Sequence, residues 1–356
     1  MPREPHSSKR LGVATSTDVA KRAGVSQATV SLVLNGASGR VGLSEATQQR
    51  VREAAADLGY TPNSVARNLR QRRTNTLTFI TPDIGNPYSA EVIGAVQQVA
   101  QERGYLLDVL VAEDEAAKLK AIARLRGGVS DGVITSAPTR AIWDALKELA
   151  RHGVPCVALQ DQGDGTEITS VGVDLEGGGY LATRHLLACG YRRIGHVSGQ
   201  QRHPLRERER VHGYRRALLE AGLPVRPEWE IEVANSPEGG VKAVELLLAL
   251  PQPRPEALFV FNDQMAIGVL HGLRRHGLRV PEDMAVVGFD GIALAAFTVP
   301  ALTTVEHRRL ELGQQAATSL IDQLEGGESP VRYTQLPVQL VVRESCGGLK
   351  DGGLPA

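Results

Sequence analysis

The 356-residue chain contains no run of about 18 apolar residues, the length a bilayer-spanning helix requires. Its opening stretch, MPREPHSSKRLGVATS, places no apolar segment behind its basic residues. Neither a membrane span nor a secretory signal is expected, and the expectation is a cytoplasmic protein. Cysteine is scarce. Cys156, Cys189 and Cys346 are odd in number, far apart and in no C-x-x-C pair, which argues against a disulfide framework and a structural zinc site; ordinary reduced thiols are expected. The signatures of cofactor enzymes are missing as well. No G-x-G-x-x-G or G-x-x-x-x-G-K-[ST] occurs, and the Gly177-Gly178-Gly179 run opens a helix without the phosphate-binding spacing. His196 and Ser198 in GHVSG lack the G-x-S-x-G frame, and a histidine inside a β-run is expected to pack. No H-x-x-x-H pair carries an acidic third ligand. No cofactor, metal or catalytic residue is expected.

Charge is present but unevenly distributed. The chain is neutral overall, with 40 basic and 40 acidic residues, yet residues 1–73 hold 12 basic against 5 acidic, leaving 28 against 35 for the rest. A compact basic segment on an acidic body is the footprint of a nucleic-acid-binding module attached to a separate regulatory body.

The basic end has its own pattern, TSTDVAKRAGVSQATVSLVLNG from Thr15 to Gly36. Thr15 and Asp18 form a capping-box-like start, with Val19, Ala20 and Ala23 on one helical face. Gly24 can take the left-handed conformation a tight turn needs, and Ser26 is placed to cap a second helix whose inner side carries Val30, Val33 and Leu34. A third helix is predicted from Ser44 to Leu58, with Val51, Ala54, Ala55 and Leu58 inward and Gly59 closing it. Such a helix-turn-helix leaves Gln27, Ala28, Ser31 and Leu32 facing out, toward a DNA major groove where Gln can bond adenine and Ala or Leu can touch a thymine methyl.

The run T-x-x-D-V-A-x-x-A-G-V-S-x-x-T-V-S-x-V-x-N, from Thr15 to Asn35, resembles the signature of LacI-type transcriptional regulators, the lactose and purine repressor family. The resemblance implies that Gln27, Ala28 and Leu32 read bases, while Ser26, Thr29, Ser31 and Asn35 fix the phosphate register. Leu32 departs from the Arg or His of many relatives, so operator preference cannot be copied from them. Ser16 is more polar than usual, which carries no functional weight in this reading. In the basic stretch YTPNSVARNLRQRR, too short for a stable isolated helix, the resemblance implies a hinge helix whose Leu69 wedges into the minor groove at the operator centre.

From Leu77 onward, short β-rich runs alternate with helix-sized segments: LTFIT (77–81), LLDVLV (106–111), GVIT (132–135), CVAL (156–159), SVGVD (170–174), IGHVS (194–198), IEVA (231–234), LFVF (258–261) and AVVGF (285–289). This alternation predicts parallel sheets, dividing near Val173 into two doubly wound, Rossmann-like lobes of periplasmic-binding-protein type. The fold class is thus a small all-α helix-turn-helix domain plus an α/β body. The expected organisation is a flexible tail over 1–14, the helix-turn-helix over 15–60, a hinge over 61–74, the two-lobed effector-binding and dimerisation body over 75–346, and a flexible tail over 347–356.

Ligands of such sheets bind beyond the C-terminal strand ends. Here those ends carry Asp83 and Asn86, Gln160, Asn262 and Asp263, and Asp290, groups suited to a polar, polyhydroxylated ligand. For any of these, and for Asp263 and Asp290 in particular, a capping or fold-closing role is the bland reading. The resemblance implies effector contacts at Asn86, Tyr88, Ser89, Gln160, Arg210, Asn262, Asp290 and His307. The Gly-rich C-terminus lacks the apolar heptads of a tetramerising tail, so a homodimer on a pseudo-palindromic double-stranded operator is expected. The function implied is a transcriptional regulator, a repressor controlled by a small sugar-like effector, with no membrane partner. Two rivals share the body: a plain sugar-binding protein, which leaves residues 15–70 unexplained, and a cytoplasmic enzyme, for which no nucleophile or cofactor motif is found. If Leu69 is the wedge, Leu69→Ala should weaken specific operator binding while leaving non-specific DNA binding nearly intact; equal losses in a competition titration would count against it.

Overall fold

The computed structural model describes residues 14–34, 42–60, 73–136, 138–159, 167–200, 207–326 and 333–348. Asn35, the hinge stretch with Leu69, and Gln160 lie outside the described residues. The chain forms two compact units, Met1–Arg73 and Thr74–Ala356.

In the first unit, α1 (Ser16–Ala23) begins with a complete capping box. Thr15 accepts from the Asp18 amide, and the Asp18 carboxylate accepts from the Thr15 amide at 2.9 Å. Asp18 is thereby held below the usual carboxylate range by the Thr15 hydroxyl and amide. Gly24 ends the helix at φ 67°, a left-handed conformation that turns the chain directly into α2 (Gln27–Leu34). α3 (Glu45–Asp57) is capped by Ser44. Val19, Val30, Val33, Val51, Ala54 and Ala55 close a small core, with Val25 and Leu34 half-buried at its margin. Leu58, expected inward, is 37% exposed. It is the C-cap of α3, and after the turn at Gly59 (φ 60°) Tyr60 packs on the core in its place.

The second unit opens where the Asp131 carboxylate accepts from the amides of Thr74 and Asn75 and from the Thr74 hydroxyl. Its first lobe is built from β1 (Thr76–Thr81), α4 (Pro87–Glu102), β2 (Leu106–Val111), α5 (Glu115–Leu125), β3 (Gly132–Ser136), α6 (Arg140–Arg151), β4 (Cys156–Leu159) and β5 (Thr169–Val173). The chain then builds a second lobe from α7 (Leu175–Ala188), β6 (Ile194–Gln200), α8 (Glu207–Glu220), β7 (Glu230–Ala234), α9 (Pro237–Ala249), β8 (Ala257–Val260), α10 (Asp263–Arg275), β9 (Ala285–Asp290) and β10 (Thr303–His307). It returns to the first lobe with α11 (Arg309–Leu324) and β11 (Tyr333–Leu336), then crosses again into β12 (Val338–Val341).

The first sheet has the order β11-β5-β4-β3-β1-β2 and the second β12-β10-β9-β8-β6-β7. Every described pairing is parallel except β12 against β10. Helices cover both faces of each sheet: α4 and α11 oppose α5 and α6, and α7 and α8 oppose α9 and α10. These are the doubly wound lobes that the strand–helix alternation predicts. They are not two contiguous halves, however. The chain passes between them at Asp174, Arg308 and Pro337; the crossings are not expected from the sequence, because β10, β11 and β12 are short, partly polar runs that read weakly as strands. One buried cluster runs from Phe79, Val96 and Leu312 in the first lobe to Tyr214, Phe259 and Phe289 in the second.

The Gly177-Gly178-Gly179 run has a packing explanation. Within α7, a methyl on Gly178 would strike the Phe289 ring, and one on Gly179 would land on the Arg210 carbonyl of α8. Gly213 of α8 answers from the other side, against the Glu176 carbonyl and the Tyr180 amide. The two helices therefore meet backbone to backbone. Gly213→Ala should force them apart and destabilise the body by about 1–3 kcal/mol, the usual range for overpacking; an unchanged urea midpoint would contradict this contact.

Candidate nucleic-acid interface and ligand site

On α2 the apolar side is spent on the core, so the remaining side chains lie outside it. Gln27 and Ala28 are exposed, while Ser31 and Leu32 are half-buried. Ser26 and Thr29 are engaged in starting the helix: the Ser26 hydroxyl accepts from the Thr29 amide at 3.1 Å and lies 2.9 Å from the Thr29 hydroxyl. The Gln27 amide is held as well, donating through Nε2 to the Ser16 hydroxyl at 2.6 Å. Ser16 therefore restricts the rotamer of the side chain that leads the exposed face, a link with no signal in residue spacing. Asn35 and Leu69, assigned to the same interface by resemblance, lie outside the described residues.

In the second lobe, β6, β8, β9 and β10 lie side by side and parallel, so their C-terminal ends share one edge. Arg210, on the first turn of α8, is buried at this edge. Its guanidinium is sandwiched between the rings of Phe261 and Phe289, 4.3 and 4.2 Å from their centroids. Cation–π attraction compensates part of the lost hydration. The charge partner is Asp290, whose Oδ1 is 3.5 Å from Nη2, and among the described residues Nε of Arg210 has no hydrogen-bond partner. Burial depresses the basicity of Arg210, with Asp290 opposing that effect. A planar five-donor group held this way is ready to donate to a ligand.

Asp290 is the last residue of β9 and sits at φ 104°, a conformation that L-residues other than glycine seldom adopt. The kink places its carboxylate between Arg210 and His307, whose Nε2 is 3.3 Å away. A carboxylate only accepts, so His307 donates from Nε2 and presents Nδ1 as an acceptor; that nitrogen is buried without a partner among the described residues. Burial pushes the His307 pKa down, the Asp290 contact opposing it. Tyr88 of the first lobe packs edge-on against His307, ring centroids 4.9 Å apart. Donors, acceptors and aromatic faces thus converge from both lobes.

Arg309, just past the crossover from β10, binds the lobes together. Its Nε donates to Glu91 of α4 at 2.8 Å, and its Nη1 donates to the Asp290 carbonyl at 2.8 Å. Resemblance points to neither Arg309 nor Glu91, nor to the two phenylalanines. A signal for the latter exists, since two of only 5 Phe residues stand immediately before Asn262 and Asp290 at the ends of adjacent strands.

Other expected contacts have structural employment. Asn86 caps α4, accepting from the Tyr88 amide at 3.0 Å, and Ser89 is half-buried in the first turn. Asn262 caps α10 through the Met265 amide and donates to Asn235 at 2.8 Å. Asp263 is a fold-closing residue: it accepts from the Thr304 hydroxyl at 2.6 Å and the Ile292 amide at 2.8 Å, and burial raises its pKa to about 8. His196 packs between Tyr214 and Phe259 with Nδ1 on the Phe259 carbonyl, while the Ser198 hydroxyl is directed to the Ile231 carbonyl. The two are not a nucleophile and its base.

A three-helix helix-turn-helix unit in one chain with a two-lobed body of periplasmic-binding type defines a ligand-responsive DNA-binding regulator as the class. Comparison with known proteins agrees. The pattern described as "Bacterial regulatory proteins, lacI family" matches residues 15–63, and "Periplasmic binding protein-like domain" matches residues 183–346. The chain is 33% identical to the HTH-type transcriptional repressor PurR of Haemophilus influenzae (strain PittEE), over 94% of this chain and 98% of that one. Among solved structures, the lac repressor dimer bound to operator and the anti-inducer ONPF superposes with TM-score 0.82 at 29% identity, covering 94% and 99% of the two chains. The transcriptional regulator CelR–cellobiose complex gives 0.69 at 31% identity over 93% and 99%. The chain belongs to the lacI family of bacterial regulatory proteins. Among the described residues, no helix is long and apolar enough to cross a membrane.

The buried histidines make stability depend on pH. Burial lowers the His196 pKa to about 4, so the folded state binds fewer protons than the unfolded one between there and about 6.5. That contribution is complete above pH 6.5 and is lost as pH falls, by about 2 kcal/mol at pH 5. Denaturant midpoints at pH 7 and 5 should differ less in His196→Gln than in the unaltered protein; identical drops would refute it.

Proposed function

We propose that the protein is a sequence-specific transcriptional repressor, acting as a homodimer, whose operator affinity is set by a polyhydroxylated, sugar-like molecule bound at Arg210, Asp290, His307 and Tyr88. Family membership supports the DNA-binding role, and the exposed Gln27 and Ala28 supply an α2 surface for a major groove. Ser16 positions Gln27 for that contact. The observation that carries the ligand reading is the buried Arg210 guanidinium, stacked between two phenylalanines with donors to spare beside one carboxylate. Arg210 donates to ligand hydroxyls, while Asp290 and the His307 Nδ1 accept from them. The cellobiose named with the CelR relative is in keeping with this chemistry.

Ligand response follows from the Arg309 contacts. A ligand that repositions Asp290 also repositions the carbonyl on which Arg309 rests, and Arg309 holds Glu91 across the lobes. The lobe arrangement and ligand occupancy are then linked, and any effect of ligand on DNA affinity is returned equally as an effect of DNA on ligand affinity. The homodimer reading is supported by β2, an edge strand that leaves Leu106, Val109, Leu110 and Val111 exposed. Such an apolar edge invites pairing with a second copy.

The direct test is selection of bound sequences from a random DNA pool, with and without a panel of sugars, followed by the salt dependence of binding to the winner. A pseudo-palindrome with a steep salt slope is expected; no enrichment under any condition would overturn the reading. Arg210→Ala should abolish ligand response without lowering operator affinity, and a variant that responds normally would remove Arg210 from the site.

A further inference from the structure

Away from the ligand site, the end of α7 meets the last described residues of the chain. His185 and Cys189 stand four residues apart, hence on one helix face. Cys346 reaches them from the short turn Glu344–Cys346, although it is 157 positions from Cys189 in sequence. His185 Nε2 is 3.1 Å from Cys346 Sγ and 3.6 Å from Cys189 Sγ, and the three atoms all lie within 4.8 Å of one another. A tetrahedral zinc ion, with Zn–S near 2.3 Å and Zn–N near 2.05 Å, separates its sulfur and nitrogen ligands by about 3.5 Å. The side chains are therefore already spaced as a ligand set.

We propose that His185, Cys189 and Cys346 form a zinc site, with water at the fourth position. The donor set is one imidazole and two sulfurs, the soft combination zinc selects, and two thiolates neutralise the dication. The Thr303 hydroxyl donates to Cys346 Sγ at 3.1 Å, fixing that sulfur beside the other two ligand atoms. Zinc binding displaces the thiol protons to solvent. Access is available because His185 and Cys189 are half-exposed while Cys346 is buried. The bare Gly348 backbone lies alongside: a methyl there would come within 3.1 Å of Cys189 Sγ and 3.3 Å of His185 Cε1.

This site is separate from the ligand site. Thr303, which donates to Cys346, begins β10, and His307 ends it, about 13 Å further along at 3.3 Å per residue. Zinc would clamp the end of α7 to the C-terminal turn, and α7 is the helix against which Arg210 is seated. The expected effect is a metal-dependent gain in stability of the body.

The test uses the full chain, reduced and freed of metal by chelation, titrated with Zn²⁺ against a chromophoric chelator and with Co²⁺ as an optical probe. One equivalent of Zn²⁺ per chain should be taken up, with a rise in Tm and, for Co²⁺, a thiolate charge-transfer band. Cys189→Ser should abolish both uptake and band, His185→Ala should weaken uptake by tenfold or more, and Cys156→Ser, altered at a buried thiol in β4, should change neither. Cys346→Ser is a second check; if its buried hydroxyl prevents folding, the half-exposed Cys189 variant decides alone. Uptake that survives in Cys189→Ser overturns the proposal. So does a reduced protein that takes up no Zn²⁺, even if mild oxidation then joins Cys189 to Cys346.

Discussion

Keeping the Arg210 guanidinium out of water is the constraint around which the second lobe is arranged. An arginine taken into a protein interior must be compensated by stacking, by a carboxylate and by acceptors for its five N–H groups. Phe261 and Phe289 supply the first and Asp290 the second, at a distance longer than a tight ion pair. Among the described residues the third is left incomplete, with no acceptor at Nε. Other features follow from placing these groups. Asp290 is held at positive φ to bring its carboxylate inward, and glycines in α7 and α8 let the Arg210 helix sit close enough for its side chain to pass between the two rings. A site satisfied internally would gain little from a ligand; one left short of acceptors gains a good deal.

The same economy governs the other polar strand ends. Asn86 and Asn262 are helix caps, and Asp263 is tied to Thr304 and the Ile292 amide, so three of the polar groups that follow strands close the fold. Capping and ligand binding draw on one population of residues because both need a short polar side chain where a strand stops and a helix starts.

This bears on what residue spacing can reveal. The helix-turn-helix was legible because its signals are local: a capping box at Thr15, a left-handed glycine at 24, and apolar positions at helical intervals. The alternation of strands and helices was legible for the same reason. The strands that cross between lobes were not, since Thr303–His307 and the two after it are short, partly polar and defined by partners far away in sequence. The Arg210 sandwich was legible in its charged members through resemblance, while Phe261 and Phe289 carried only the signal of standing immediately before Asn262 and Asp290, which does not by itself separate them from ordinary core. All three cysteines are free thiols, as expected; what their spacing hid is that Cys189 and Cys346 are brought together by the way the chain ends.

The three crossings between lobes bear on the order of assembly. The first unit is contiguous and can close as soon as residue 60 has left the ribosome, whereas the lobe begun at β1 lacks α11 and β11 until nearly the whole chain is synthesised. Its sheet would meanwhile expose the β5 edge and the face that α11 covers. Neither lobe is therefore finished until the C-terminal strands have emerged, β11 for the first and β12 for the second, and the DNA-binding unit exists as a folded object well before the body that is to control it.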